Sequence, residues 1–218
     1  MVKGVVFDMD GTLMDNMDFH HKAWIDFLAA YDIHITDEEF QEKNIGIITE
    51  IVPKFFDRKL SPEEIIALGK EKEAVYRNLY KDHIQALSGL ENFLQALQEA
   101  GITIALATAA DKGNIDFTLD ALGIRKYFSA ITGSEEVAYG KPHPDVYLKS
   151  ATKLRLPPVQ CVAFEDTPSG IRSAQAAGMG VIGLATTHTK EELLGYSLLT
   201  IIENYESQEL ISMLKNVK

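Results

Sequence analysis

Residues 4–7 of this 218-residue chain read Gly-Val-Val-Phe and run without a break into Asp8-Met9-Asp10-Gly11-Thr12-Leu13. An apolar run with no polar alternation suits a strand covered on both faces, the setting of a parallel sheet between helices. Gly11 lets the backbone turn sharply after the second acid. Open α/β sheets bind ligands beyond the carboxyl ends of their strands, so Asp8 and Asp10 stand where chemistry is usually carried out. Taken alone, an Asp-x-Asp-Gly is equally a plain turn after a solvated strand end. The rest of the chain decides between the two.

The pattern changes twice along the chain. Residues from about 16 to 85 read as helical throughout. Phe19, Ala23, Trp24, Phe27 and Leu28 recur at helical spacing. Thr36 with Glu39 predicts a capping box, and Ser61-Pro62-Glu63-Glu64 predicts a stronger helix start running to about His83. Ile65, Leu68, Lys72, Val75, Tyr76 and Leu79 lie along or beside one stripe of that helix. From about residue 86, strands and helices alternate. Strands are expected at 102–107, 130–133, 162–164 and 181–184, with helices over 90–100, 113–122, 145–154, 171–177 and 207–215 between and after them. Such alternation indicates βαβ units and a parallel sheet. The expected architecture is a Rossmann-like α/β core, residues 1–15 and 86–218, with an all-helical cap, residues 16–85, inserted after the first strand.

Charge and composition exclude several partner classes. A net charge of -11 argues against nucleic acid, whose phosphates demand a basic face. It leaves a small phosphorylated metabolite open, because local groups and a metal hold such a ligand. No apolar stretch approaches the roughly 18 residues of a membrane span. The single cysteine, Cys161, excludes an internal disulfide and reads as a buried structural thiol. The first strand begins too near Met1 for a signal peptide to precede it, so a cytoplasmic monomer is the expectation.

The polar residues at strand ends form one set. Asp8 and Asp10 follow the first strand, Thr108 the second, and Glu165-Asp166 a later one, while Lys141 precedes a helix. Four carboxylates meeting in one crevice repel, and each has a raised pKa unless neutralised. A divalent cation and one lysine remove most of that repulsion. Hard oxygen donors, completed by phosphate and water, favour Mg²⁺.

Four motifs in order carry a resemblance over the whole length: Asp-Met-Asp-Gly-Thr at 8–12, Thr108 after its strand, Lys141 in Gly-Lys-Pro-His-Pro-Asp, and the segment 164–179 beginning Phe-Glu-Asp-Thr-Pro. The chain resembles the haloacid dehalogenase superfamily, in its β-phosphoglucomutase-like phosphatase branch. The resemblance implies Asp8 as the nucleophile that becomes an aspartyl-phosphate. It implies Asp10 as the general acid and base, with its backbone carbonyl on the metal. Mg²⁺ would be held by Asp8, Asp10, Asp166 and Glu165, with Glu165 either a direct ligand or a support for one. Thr108 would bond the transferring phosphoryl group and Lys141 would offset its charge. Haloalkanoic acid dehalogenases of this fold use the first Asp without needing the second, so Asp10-Gly11-Thr12 favours phosphoryl chemistry. A phospho-receiver module is disfavoured, because receivers are shorter and lack a helical insertion.

Substrate contacts implied by the resemblance are His20, Trp24, Thr49, Lys72, Ala109 and Ala110. His20 and Trp24 match a His-x-x-x-Trp element of the mutases, and Lys72 aligns with a cap lysine. The chain departs from the mutase pattern at two points. Thr49 stands where mutases carry an arginine, and Ala110-Asp111 where they carry Ser-Lys. Arginine and lysine are the groups expected to grip a second phosphate. The expectation is therefore a Mg²⁺-dependent phosphatase of small phosphomonoesters, sugar phosphates above all, with β-phosphoglucomutase as the alternative.

Overall fold

In the computed structural model, which describes residues 1–217, the opening apolar run is strand β1 (Gly4–Phe7). The helical block follows as α1 (Met17–Ala29), α2 (Asp37–Lys43), α3 (Ile48–Ile51) and α4 (Pro62–Tyr80). Then come α5 (Leu90–Glu99), β2 (Thr103–Ala107), α6 (Lys112–Ala121), β3 (Ala130–Thr132) and α7 (Asp145–Leu154). The chain finishes with β4 (Cys161–Glu165), α8 (Pro168–Ala176), β5 (Gly180–Leu184), α9 (Lys190–Leu193), β6 (Thr200–Ile202) and α10 (Glu209–Asn216).

All strand pairs are parallel, in the order β3-β2-β1-β4-β5-β6. Alternate side chains of β1 feed two separate cores, as the pleat requires. Val5 and Phe7 join the face covered by α5, α6 and α10, while Val6 joins the face covered by α7 and α8. Phe7 stacks on Phe164 of β4 at 4.9 Å, and Phe93 of α5 stacks on Tyr205 at 5.4 Å. Cys161 is buried in the second core, as its apolar flanks predict.

The strand order decides where the site lies. Phe7 is level with Leu106 on one side and Phe164 on the other, so the residues past those ends emerge together. The chain leaves β1 towards β2 and β3, then returns to its other side for β4, β5 and β6. Such a switch point opens a crevice above the strand ends.

The helical block is held by its own core of Trp24, Phe27, Leu28, Phe40, Ile51, Val52, Phe55, Leu60 and Leu68. The capping boxes predicted at Thr36 and Ser61 are both present. Ala23, Tyr76 and Tyr80 leave that cluster and pack into the core beside β1. The block therefore sits over the strand ends. Three short elements differ from the sequence expectation: α3, α9 and β6 carry too few residues to show a period, and α4 ends at Tyr80 rather than His83. No helix among the described residues is long and apolar enough to cross a membrane.

Candidate active site

Asp8 lies one residue past β1, its N–H donating to the Phe164 carbonyl at 3.0 Å. The Lys141 ammonium, on the segment leading into α7, stands 2.7 Å from Asp8 Oδ1 and also donates to Glu165 Oε1. Glu165 accepts the Tyr147 hydroxyl at 2.7 Å on that same oxygen. Its Oε2 accepts the N–H groups of Asp166 at 3.1 Å and Thr167 at 3.3 Å. Asp166 takes the Thr12 hydroxyl on Oδ1 at 3.2 Å and the Thr187 hydroxyl on Oδ2. Gly11 makes this approach possible: its φ is +71°, and a Cβ there would lie 2.1 Å from Asp166 Oδ2.

Oxygens of Asp8, Glu165 and Asp166 all lie within 4.8 Å of one another, and all three residues are buried. Burial raises the Asp8 carboxyl pKa; Lys141 pulls it down, Glu165 and Asp166 push it up, and the outcome is well above the usual range. Burial and then the Glu165 charge push Asp166 up to about 7. Burial disfavours the Lys141 ammonium, but Asp8 and Glu165 more than restore it, and its pKa rises. One ammonium thus faces three carboxylates. That excess of negative charge, on hard oxygen donors, fits a divalent cation such as Mg²⁺. Glu165 takes an ammonium and a hydroxyl on Oε1 and backbone N–H groups on Oε2, so it is anchored on both oxygens.

Asp10 has a different environment. Its Oδ1 accepts from Asn16 Nδ2 at 2.7 Å and faces His20 Nε2 at 3.3 Å. Burial raises its pKa, but His20, Asn16 and Lys72 outweigh that and hold the carboxyl below its ordinary value. Lys72 Nζ, which can only donate, lies 3.1 Å from His20 Nδ1, and the opposite ring nitrogen Nε2 is turned towards Asp10. Stacking on Tyr76 at 3.7 Å fixes the imidazole plane. Thr108 is buried at the end of β2, and its hydroxyl accepts the Ala110 N–H at 3.0 Å.

These groups line one crevice enclosing about 160 Å³, below the ~300–1,000 Å³ of drug-sized pockets. Asp8, Asp10, Thr108, Ala109, Ala110 and Lys141 come from the sheet side. His20, Trp24, Gly46, Ile48, Lys72 and Glu73 come from the helical block. Thr49 is the exception among the expected contacts. It is exposed and does not line the crevice, because α3 turns Ile48 inwards and Thr49 outwards. Glu165 and Asp166 lie beneath the crevice floor, fully buried.

Several residues of the site carried no sequence signal. Asn16 precedes α1 as a helix cap would, yet its side chain spans Gly11 N–H, Asp10 and the Tyr76 hydroxyl instead. Tyr147 and Thr187 reach the carboxylates from α7 and from the segment after β5. Glu73 and Asn114 meet across the crevice at 2.6 Å.

Comparison with known proteins identifies the family. The family model for haloacid dehalogenase-like hydrolases matches residues 2–178. Fructose-1-phosphate phosphatase YqaB of Escherichia coli is 30% identical over 179 residues, covering 82% of this chain and 94% of its own. Beta-phosphoglucomutase of Bacillus subtilis is 30% identical over 200 residues, covering 84% of this chain and 83% of its own. The crystal structure of beta-phosphoglucomutase from Clostridium difficile superposes with a TM-score of 0.86 at 25% identity, covering 99% of this chain and 98% of that one. With its acids at the switch point of a six-stranded parallel sheet, this chain belongs to the haloacid dehalogenase-like hydrolases, a family of enzymes in which its relatives include phosphatases and a phosphoglucomutase.

Proposed function

We propose that the protein is a Mg²⁺-dependent phosphatase that hydrolyses small phosphomonoesters, sugar phosphates foremost, through an aspartyl-phosphate on Asp8. The observation that carries this reading is the contrast between two acids one residue apart. Asp8 belongs to a buried carboxylate cluster with one lysine, whereas Asp10 accepts from Asn16 and faces His20, which Lys72 backs from the helical block. Two carboxylates in unlike environments take unlike roles. Mg²⁺, held by Asp8, Asp166 and the Asp10 carbonyl with Glu165 in support, would keep Asp8 ionised and offset phosphoryl charge.

Asp8 attacks phosphorus while Lys141 and the Thr108 hydroxyl hold the equatorial oxygens. Asp10 protonates the leaving oxygen. The incoming dianion raises its pKa and so supports the protonated form needed for that step. In the second step Asp10 is the carboxylate that its His20 and Asn16 contacts favour, and it takes a proton from the attacking water. The helical block, as a cap, excludes bulk water before attack.

Phosphatase is preferred to mutase because the second phosphate lacks a grip. Thr49 is exposed, Asp111 caps α6, and Lys112, 78% exposed, is paired with Asp116. Lys72 is the observation on the mutase side, being a buried cap cation lining the crevice. The test is phosphate release from a panel of phosphorylated metabolites with Mg²⁺ and with chelator, beside a coupled mutase assay. Mg²⁺-dependent release is expected. Efficient bisphosphate-dependent conversion of β-glucose 1-phosphate to glucose 6-phosphate would overturn the preference.

A further inference from the structure

Glu73 is a buried acid that the chemistry above leaves unused. It lies on α4 next to Lys72, 8% exposed, and lines the crevice opposite the reacting carboxylates' strand ends. Its Oε1 accepts the Lys72 ammonium at 3.0 Å, and its Oε2 accepts Asn114 Nδ2 from α6 at 2.6 Å. Burial raises its pKa, but Lys72, His20 and Asn114 outweigh burial and keep it below the ordinary value, so it is ionised at neutral pH.

This pair changes what the crevice offers to the leaving group. The Lys72 charge is cancelled by Glu73, with its remaining contacts to His20 at 3.1 Å and the Trp24 ring at 5.1 Å. Arg77, the next cation on the same helix, is drawn onto Asn114 Oδ1 at 2.7 Å. Asp111 adds a second acid nearby: Glu73 is among the charges that raise its pKa, after burial. An ammonium and a carboxylate 3.0 Å apart present a donor beside an acceptor. A hydroxyl can serve as both at once, whereas a phosphate or carboxylate group on the leaving half is only an acceptor and meets the Glu73 charge.

We propose that Glu73, positioned by Lys72 and Asn114, is a specificity residue that selects a neutral polyhydroxylated leaving group and rejects one bearing a second phosphate or a carboxylate. This rests on the phosphatase reading and narrows its substrate class.

The test measures kcat/KM for fructose 1-phosphate and fructose 1,6-bisphosphate, with an aryl phosphate alongside, in the wild type and in Glu73→Gln. The wild type is expected to favour the monophosphate at least about tenfold, and Glu73→Gln to shrink that ratio by about tenfold. Glu73→Met, similar in length and uncharged, is expected to shrink it likewise, and it carries the test if Glu73→Gln does not fold. Ratios unchanged within twofold in both variants, with the aryl phosphate still hydrolysed by the wild type, would overturn the role of Glu73 alone. A folded wild type that released phosphate from none of the three esters with Mg²⁺ would instead bring down the phosphatase reading beneath it.

Discussion

Asp8 and Asp10 show how much the surroundings of a side chain decide. Asp8→Asn is nearly isosteric and removes one charge from a crowded anionic cluster, so the fold should survive it. Turnover should fall by about four orders of magnitude or more, as for other nucleophile deletions, while the melting temperature holds or rises. Near-normal phosphate release by that variant would remove Asp8 from its role. Asp166 carries a pH signature of its own. Its carboxyl moves from an ordinary 3.8 to about 7 in the folded chain. Between those values the folded state holds a proton that the unfolded state lacks, so this group's contribution is complete below about 3.8 and lost as pH rises through about 7. A cation at the cluster binds the ionised form and offsets the loss. Thermal melts should therefore show a larger Mg²⁺ stabilisation at pH 8 than at pH 5, and the difference should vanish in Asp166→Asn. Equal Mg²⁺ shifts at both pH values would contradict it.

The junction of β4 and α8 is where packing and chemistry meet. Thr167 caps α8 by accepting the Gly170 N–H, and the helix begins directly above the Glu165 carboxylate. A Cβ at residue 170 would lie 1.8 Å from Glu165 Oε1. Gly170→Ala must therefore displace Glu165, and with it the contacts to Lys141 and Tyr147. Overpacking of this kind costs about 1–3 kcal/mol, and activity should fall further than stability alone explains, because Lys141 loses its anchor. Denaturant melts beside kcat give the comparison; wild-type kcat in a folded Gly170→Ala would show that Glu165 need not hold its place.

The helical block and the α/β core share the crevice but keep partly separate interiors, and we propose that they move as two bodies. Glu50 marks one contact between them, since its Oε2 accepts both Ile47 N–H at 2.8 Å and Gly140 N–H at 3.1 Å, one residue before Lys141. Asn114 with Glu73 and Asn16 with Asp10 mark others. If closure excludes water before Asp8 attacks, Mg²⁺ with vanadate should slow amide exchange across residues 44–51 and the crevice face of α4. Glu50→Ala should weaken that protection and raise KM. Exchange in those segments indifferent to vanadate would argue for a rigid molecule.

Much of this was legible from residue order alone. The run Val5-Val6-Phe7 demanded burial on both faces, and the capping boxes at Thr36 and Ser61 need only local backbone, so both are where periodicity and spacing put them. The parallel sheet followed from alternation, Asp8, Thr108 and Asp166 from their places after strands, and Lys141 from the Gly-Lys-Pro-His-Pro-Asp segment before a helix. What lay beyond the sequence were partners far apart along it. The Asn114–Glu73 bond spans 41 residues, Thr12–Asp166 spans 154, and Tyr205 to the Thr12 carbonyl spans 193. Nothing local distinguishes Glu73 from a solvated acid or Asn16 from an ordinary helix cap. Nor does Thr49 announce that α3 turns it outwards. Sequence determined the elements and the places of the candidate site residues along them because strands, caps and turns answer to near neighbours. Tertiary structure alone decided which charges are cancelled, because a carboxylate's partners are set by the packing of distant helices across the crevice.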